Sequence, residues 1–363
     1  MQVKIVHIVA NINPVNFGVW NAAIFASDYL LQKYSLESFL WVCSPPASHS
    51  IASSISVEFL GHHQSFAKTN LRERLKEFLP GHTVFVSHGC WLSPTWLGYE
   101  LTKLGFYWVY TPHGMLEPWS INSKGWKKKL YFLAVERWRA KAANAIRAVS
   151  SVERNNLSIL LKKPVTLIEN GVDIVLYKKK EISEIVFLFL GRLHGKKGVA
   201  LLAKAWDESM KNSTNAKLII AGPDEGELEK IAPLINGNMS YVGPVYGEKK
   251  NRLLQQAHYF VLPSFSEGFP TSVVEAMSYG VIPVISQGCN FNAVFDSNLG
   301  YKIETTVMSI ANQLKYLADR KVDDELSGRV ADYVRANNSS SALGDKLFRF
   351  YSAITRDLKH EKE

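Results

Sequence analysis

Short apolar runs alternate along this chain with longer stretches in which apolar residues recur every three or four positions. The runs are Val3–Ala10, Phe39–Cys43, Val84–Ser87, Trp108–Thr111, Ala145–Ser150 and Val165–Ile168 in the first half. In the second half they are Ile185–Leu190, Leu218–Ala221, Tyr259–Leu262 and Val281–Ile285. An apolar run of four to eight residues without alternation is what a strand buried on both faces requires, and such strands belong to parallel sheets with helical crossovers. The stretches between the runs supply the crossovers; Val199, Leu202 and Trp206 fall on one helical face just after Ile185–Leu190. The pattern predicts an α/β protein of two doubly wound parallel sheets rather than a sandwich or a bundle. Asn170-Gly171-Val172-Asp173 leads into the charged, core-poor stretch Tyr177–Glu181 and marks the joint. Domains are expected at 1–173 and 174–341, with a last helix in 342–363 that carries Leu347, Phe350, Tyr351, Ile354 and Leu358 on one face. Ligand is expected in the cleft between the two domains.

Composition fits this reading. The 363 residues are 47% apolar and 21% charged, ordinary for globular domains of this length. The run Val3–Ala10 carries Lys4 and His7 and leads to no small-residue cleavage pattern, so it reads as a first strand rather than a signal segment. No stretch is expected to span a membrane. Three widely spaced cysteines, Cys43, Cys90 and Cys289, encode neither a disulfide framework nor a zinc site, and a reducing cytoplasm is the expected compartment.

The chemistry concentrates in Ser264-Phe265-Ser266-Glu267-Gly268-Phe269-Pro270-Thr271-Ser272-Val273-Val274-Glu275-Ala276-Met277. Glu267 precedes a helix start and Glu275 lies inside the helix. Both carboxylates repel phosphate, so they call for hydroxyl groups, one pair on a hexose and one on a ribose. The amides of Thr271 to Val273 are expected to face phosphates, since a helix N-terminus favours an anion by about 0.3–1 kcal/mol. Gly268 is expected to let the backbone approach the ligand, with Phe269, Pro270, Thr271 and Ser272 beside it. A second segment, Gly191-Arg192-Leu193-His194-Gly195-Lys196-Lys197-Gly198, follows the strand Ile185–Leu190 and sets cations at its carboxyl end. Charge-assisted bonds from Arg192 and Lys197 to a diphosphate are worth about 1.5–3 kcal/mol each.

Glu267 to Glu275 resembles the E-x7-E motif of retaining glycosyltransferase family 4, and Gly191–Gly198 is similar to that family's G-R-L-x-x-x-K-G segment. The resemblance implies a GT-B fold, two Rossmann-like domains, and sugar transfer with retention from a nucleotide sugar, UDP- or GDP-linked, with no further cofactor. It implies that Arg192, Lys197 and Gly191 serve the donor diphosphate and that Glu267 positions the sugar. His113, in Thr111-Pro112-His113-Gly114-Met115, resembles the family's histidine beside the transferred sugar; a turn histidine bonded to its own backbone is the other reading. Gly18 resembles the glycine-rich first loop near the diphosphate, with Phe17 where the family has a second glycine. His88 is expected on the acceptor side. Asn170–Asp173 looks like the family's joint, with Gly171 at positive φ and Asp173 either bonding donor or capping the turn. The last helix is expected to cross back onto the first domain. After Pro283 the family often shows a further Glu, which Gly288–Ala293 lacks, so donor contacts there stay open.

Rival readings are bounded by absent motifs. No G-x-G-x-x-G follows the first strand, which excludes a dinucleotide-dependent dehydrogenase. A sugar-nucleotide epimerase of the same fold, or a binding partner without turnover, stays open. No D-x-D occurs, so cations and amides are expected to replace a divalent metal at the leaving group.

The net charge of +9 is uneven: residues 1–175 carry 18 Lys and Arg against 11 Asp and Glu. Residues 124–141 hold seven cations (Lys124, Lys127, Lys128, Lys129, Arg137, Arg139, Lys141) and one anion, Glu136, interleaved with Trp126, Leu130, Tyr131, Phe132 and Trp138. Such a helix suits an anionic membrane surface, at about 1 kcal/mol per cation, and an acceptor on a polyprenyl diphosphate or other lipid; a solvated helix with core aromatics is the alternative. Nucleic acid is not expected, since no recognised binding motif accompanies the charge. The expected role is bacterial envelope, lipopolysaccharide or exopolysaccharide assembly, in the cytoplasm or peripheral on the inner face of its membrane.

Overall fold

The structure is a computed structural model that describes residues 3–13, 16–45, 55–61, 68–91, 93–117, 126–180 and 183–360, without the side chains of 68–70, 126–128 and 356–360. Lys124 and Glu181, and the side chains of Trp126, Lys127, Lys128 and Leu358, named above, lie outside that description. The chain divides into two compact units, residues 1–171 with 340–363, and residues 172–339.

The first unit holds strands β1 (Lys4–Val9), β2 (Glu37–Val42), β3 (Ser56–Phe59), β4 (Thr83–His88), β5 (Tyr107–Thr111), β6 (Ala145–Ala148) and β7 (Thr166–Leu167). They form one parallel sheet in the order β3-β2-β1-β4-β5-β6-β7. Every residue of β4 and β5 is buried, which is why these strands read as unbroken apolar runs. The last helix, Ser340–His360, packs Leu343, Leu347, Tyr351 and Ile354 against Ile5, Leu30 and Val84. Burying four such side chains contributes up to about 6–12 kcal/mol before ordering costs. Polar pairing at the same contact adds direction: Asp345 accepts from Tyr29 Oη, Tyr34 Oη and Lys33 Nζ at 2.8–2.9 Å, and Phe348 stacks on Tyr34.

The second unit holds β8 (Ile185–Leu190), β9 (Ala216–Ala221), β10 (Met239–Tyr241), β11 (Tyr259–Leu262), β12 (Ile282–Ser286) and β13 (Tyr301–Ile303). Its parallel sheet runs β10-β9-β8-β11-β12-β13 around a single large apolar core. The edge strands β3, β10 and β13 escaped the sequence pattern because each is only three or four residues long and partly solvated.

The joint falls before Val172 rather than after Asp173. Val172 is buried in the second core and its amide donates to Asn338 O at 2.9 Å. Gly171 does not take the positive φ expected of it. Asn170 is buried, accepts from Arg147 Nη2 at 3.2 Å, and the chain runs on without a turn.

Candidate functional site

In each sheet the strand order reverses beside one central pair, β1 and β4 in the first unit, β8 and β11 in the second. Parting connections leave a crevice at the carboxyl ends of such a pair, the usual ligand position in open α/β sheets. Both sequence motifs of the second unit follow this pair: Gly191–Gly198 leaves β8 and Ser264–Glu267 leaves β11.

Lys197 Nζ lies 2.8 Å from Glu267 Oε1, with side chains only 15% and 9% exposed. Ser264 Oγ donates to the same carboxylate oxygen. The backbone of Glu267 is held on both sides by the turn after β12: its amide donates to Gly288 O at 2.8 Å, and Asn290 Nδ2 donates to its carbonyl. Thus the segment that lacks the family's further glutamate serves here to anchor Glu267. Gly198, at φ +68°, lets the lysine loop approach Pro263; a Cβ there would overlap the Pro263 carbonyl oxygen. The two motifs are in this way locked to one another by backbone as well as by charge.

Arg192 is half exposed and binds both oxygens of Glu225, at 2.8 and 3.0 Å. The carboxylates Glu267 and Glu275 are not bare, since Lys197 neutralises the first and Lys250 pairs with the second. Of the three amides at the start of the helix Thr271–Ser278, Thr271 donates to Phe269 O and Val273 to Pro270 O. The Ser272 amide alone of the three meets no carbonyl among the described residues. Pro270 is the residue before the helix, Phe269 packs edge-on against Phe291 at 5.7 Å, and Gly268 joins them to Glu267. A Cβ at Gly191 would meet Lys197 and Phe189 only at ordinary van der Waals distance, and its φ is not positive. Ser264 could have been noticed three positions before Glu267, whereas nothing local marks Lys250 or Glu225 as partners.

In the first unit, His113 is a non-glycine residue at φ +55°. Its Nε2 lies 2.8 Å from His88 Nδ1, and His88 Nε2 lies 3.0 Å from His7 Nδ1. The turn is fixed by Glu153, whose carboxylate accepts from the Gly114 amide and, at 2.7 Å, from the Val149 amide. Ser150 caps the following helix, its Oγ accepting from the Glu153 amide, while the Glu153 side chain reaches back one residue further, to Val149; the Ser150-x-x-Glu153 spacing was legible in the sequence. Burial and, to a lesser degree, the Arg147 guanidinium hold His7 and His113 down to about 3. His88 is depressed by burial first and by its neighbours His113, His7 and Arg147 after. Burial raises Glu153 to about 7. His88 is 1% exposed with both ring nitrogens engaged, so it backs His113 rather than meeting an acceptor. It borders a cavity of about 70 Å³ with Asn11, Asn16, Val19 and Gly89, next to Gly18. Gly18 lies in the first turn of the helix Phe17–Ile24, with open space where a Cβ would stand. Asp173 is exposed.

Residues 126–141 run as one helix with a π-helical segment, Phe132–Glu136, between Trp126–Tyr131 and Arg137–Lys141. The widened turn swings Glu136 inward, where it accepts from Thr95 Oγ1, Tyr110 Oη and the Trp91 amide at 3.0–3.2 Å. Phe132 joins the core, while Leu130, Leu133 and Trp138 are each about 60% exposed. The only anion is therefore removed from a face left cationic and apolar. Among the described residues no helix is long and apolar enough to cross a membrane.

Two adjoining family models match residues 50–336. Residues 177–336 match the glycosyl transferases group 1 and residues 50–176 match glycosyltransferase family 4. The chain belongs to these glycosyltransferases. A GDP-mannose:cellobiosyl-diphosphopolyprenol alpha-mannosyltransferase of Xanthomonas oryzae is 30% identical over 240 residues, 62% of this chain and 63% of that protein. The match thus spans less than two thirds of that relative's length. Among solved structures, the sucrose-phosphate synthase of Thermosynechococcus elongatus aligns with a TM-score of 0.77 at 17% identity, over 97% of this chain and 99% of that one. Anabaena HepE in complex with UDP and glucose aligns with a TM-score of 0.72 at 15% identity, over 97% and 100%. At these identities the likeness shows the fold, and the glycosyltransferase has the GT-B fold with its two parallel sheets.

Proposed function

We propose that this chain transfers a hexose from a nucleoside diphosphate sugar, UDP- or GDP-linked, to a glycan on a polyprenyl diphosphate, with retention at the anomeric carbon and without a divalent metal. The reading is carried by one observation, the largely buried Lys197–Glu267 pair 2.8 Å apart at the adjoining carboxyl ends of β8 and β11. Lys197, with Arg192 nearby in sequence, meets the negative charge that grows on the departing diphosphate, and a cation held in place beforehand lowers that barrier without reorganising water. The Ser272 amide adds a donor at the start of its helix. Glu267 takes hydroxyls of the sugar and Glu275 those of the ribose, each kept at a fixed angle by its lysine. His113 is assigned to the transferred sugar and Gly18 to the diphosphate. The Xanthomonas relative's name gives a GDP-linked donor and a diphosphopolyprenol acceptor, and HepE is solved with UDP and glucose, which support this class of substrates.

The exposed Leu130, Leu133 and Trp138 beside Lys129, Arg137, Arg139 and Lys141 support peripheral docking of the glycosyltransferase on an anionic membrane, the inner face of the cytoplasmic membrane in a bacterium. Two experiments test the reading. Purified protein is incubated with UDP-, GDP- and ADP-sugars, and wild type is compared with Arg192→Ala and Glu275→Ala. One donor is expected to bind and hydrolyse slowly, with each substitution weakening it at least thirty-fold; no binding to any of them overturns the assignment. Sedimentation with vesicles is expected for anionic but not zwitterionic lipid, and Trp138→Ser with Leu133→Ser is expected to abolish it.

A further inference from the structure

Three imidazoles form a line in the first unit. His7 Nδ1 lies 3.0 Å from His88 Nε2, and His88 Nδ1 lies 2.8 Å from His113 Nε2, with ring centroids 5.2 and 5.1 Å apart. The sheet order sets the line, because β1, β4 and β5 are consecutive neighbours and the histidines come from β1, the end of β4 and the turn after β5. His7 and His88 are 2% and 1% exposed, so neither can touch substrate directly. Burial first, and after it the Arg147 guanidinium on β6, disfavours a positive charge on any of the three rings.

A neutral imidazole has one donor and one acceptor nitrogen. In a line of neutral rings the direction of donation must therefore be the same at both contacts. If His7 donates from Nδ1, His88 accepts on Nε2, donates from Nδ1, and His113 keeps its own proton on Nδ1. Reversing His113 requires reversing all three. The backbone shows what this arrangement demands: His113 is held at φ +55°, a conformation that costs about 1–2 kcal/mol for a residue with a Cβ. Glu153 holds that turn through the Gly114 amide, and the outcome is that His113 faces His88.

We propose that His7 and His88 are positioning residues of this glycosyltransferase, which fix the ring orientation and tautomer of His113 so that its remaining nitrogen, Nδ1, meets the transferred sugar in one hydrogen-bonding sense. The inference rests on the assignment of His113 to that sugar. No proton passes along the line; the two other rings act by tying the tautomer of His113 to their own, so that it cannot change alone.

The test joins a spectrum to kinetics. Protein labelled with 15N-histidine gives the tautomer of each ring from its pair of nitrogen shifts, and the signals of His113 are identified by their loss in His113→Gln. In wild type His113 is expected in one tautomer. His7→Leu removes the end of the line and is expected to give a mixture at His113 and about a ten-fold lower kcat, with donor KM within two-fold. His7→Asn, whose amide reaches the place of Nδ1, is expected to restore both to within three-fold. His88→Asn leaves an amide beside His113 but cuts the link to His7, and it provides the same comparison should His7→Leu not fold. An unchanged His113 spectrum and kcat, with only the melting temperature lowered, would show a packing role and overturn the proposal. Should the wild type turn over no nucleotide sugar, the functional assignment fails, while the coupling among the rings is still decided by the spectrum alone.

Discussion

Removing Lys197 is expected to damage stability and activity together, and removing its partner as well is expected to separate them. Lys197→Met leaves the Glu267 carboxylate, 9% exposed, with the Ser264 hydroxyl as its remaining side-chain donor. Stripping one member from a buried pair costs about 3–5 kcal/mol, and the retained hydroxyl offsets about 1 kcal/mol of it. At roughly 2–4 °C per kcal/mol for a unit of this size, the melting temperature should fall by about 4–16 °C. Glu267→Gln should fall by a similar amount, since it strands the lysine. In Lys197→Met with Glu267→Gln no charge is left buried, and neutral replacements of similar volume are often tolerated. The double variant should melt within about 3 °C of wild type. Its turnover should nevertheless be lost, by about 10²–10³-fold as for other preorganised charge stabilisers. Thermal unfolding followed by circular dichroism, alongside donor turnover, reads both quantities. Single variants that melt with wild type would refute the energetic reasoning. A Lys197→Met enzyme within three-fold of wild-type turnover would refute the catalytic part.

Gly198→Ala should lower the melting temperature by more than 10 °C or prevent folding, because a Cβ at φ +68° also overlaps the Pro263 carbonyl, whereas Gly18→Ala, in a helix with open space, should be neutral or stabilising by about 0.5–1 kcal/mol and touch only donor binding. Lys250→Met should change donor KM less than three-fold, since the pair it forms with Glu275 is part-exposed, while Glu275→Ala should raise it at least thirty-fold; equal effects would mean that the pair, not the carboxylate, binds ribose. Acid should destabilise the first unit. Depressed histidines contribute stability that is present above their ordinary value of 6.5 and lost as pH falls, toward about 3 for His7 and His113, whereas the raised Glu153 contributes stability present below 4.5 and lost as pH rises toward about 7. Between pH 6.5 and 4.5 three groups outweigh one, so the melting temperature should drop, with a shallower slope in His7→Asn and a steeper one in Glu153→Gln.

The sequence by itself determined the two parallel sheets, because strands buried on both faces must be written as unbroken apolar runs, and β4, β5, β8 and β11 all are. It also determined the two motifs of the second unit, since residues at the carboxyl end of a strand and the start of the next helix are close in the chain. Edge strands such as β10 left no such mark, being short and half-solvated. Tertiary structure alone decided which charges meet: Lys250 finds Glu275, Arg192 turns to Glu225, and Asn290 anchors Glu267, each across a sequence distance that no local pattern reports. The same holds for His7, visible as a polar residue inside an apolar strand but given its partner only by the pairing of β1 with β4. Periodicity records which face of an element is buried. Pairing between elements depends on strand order and on register, which are fixed by the packing of the whole sheet.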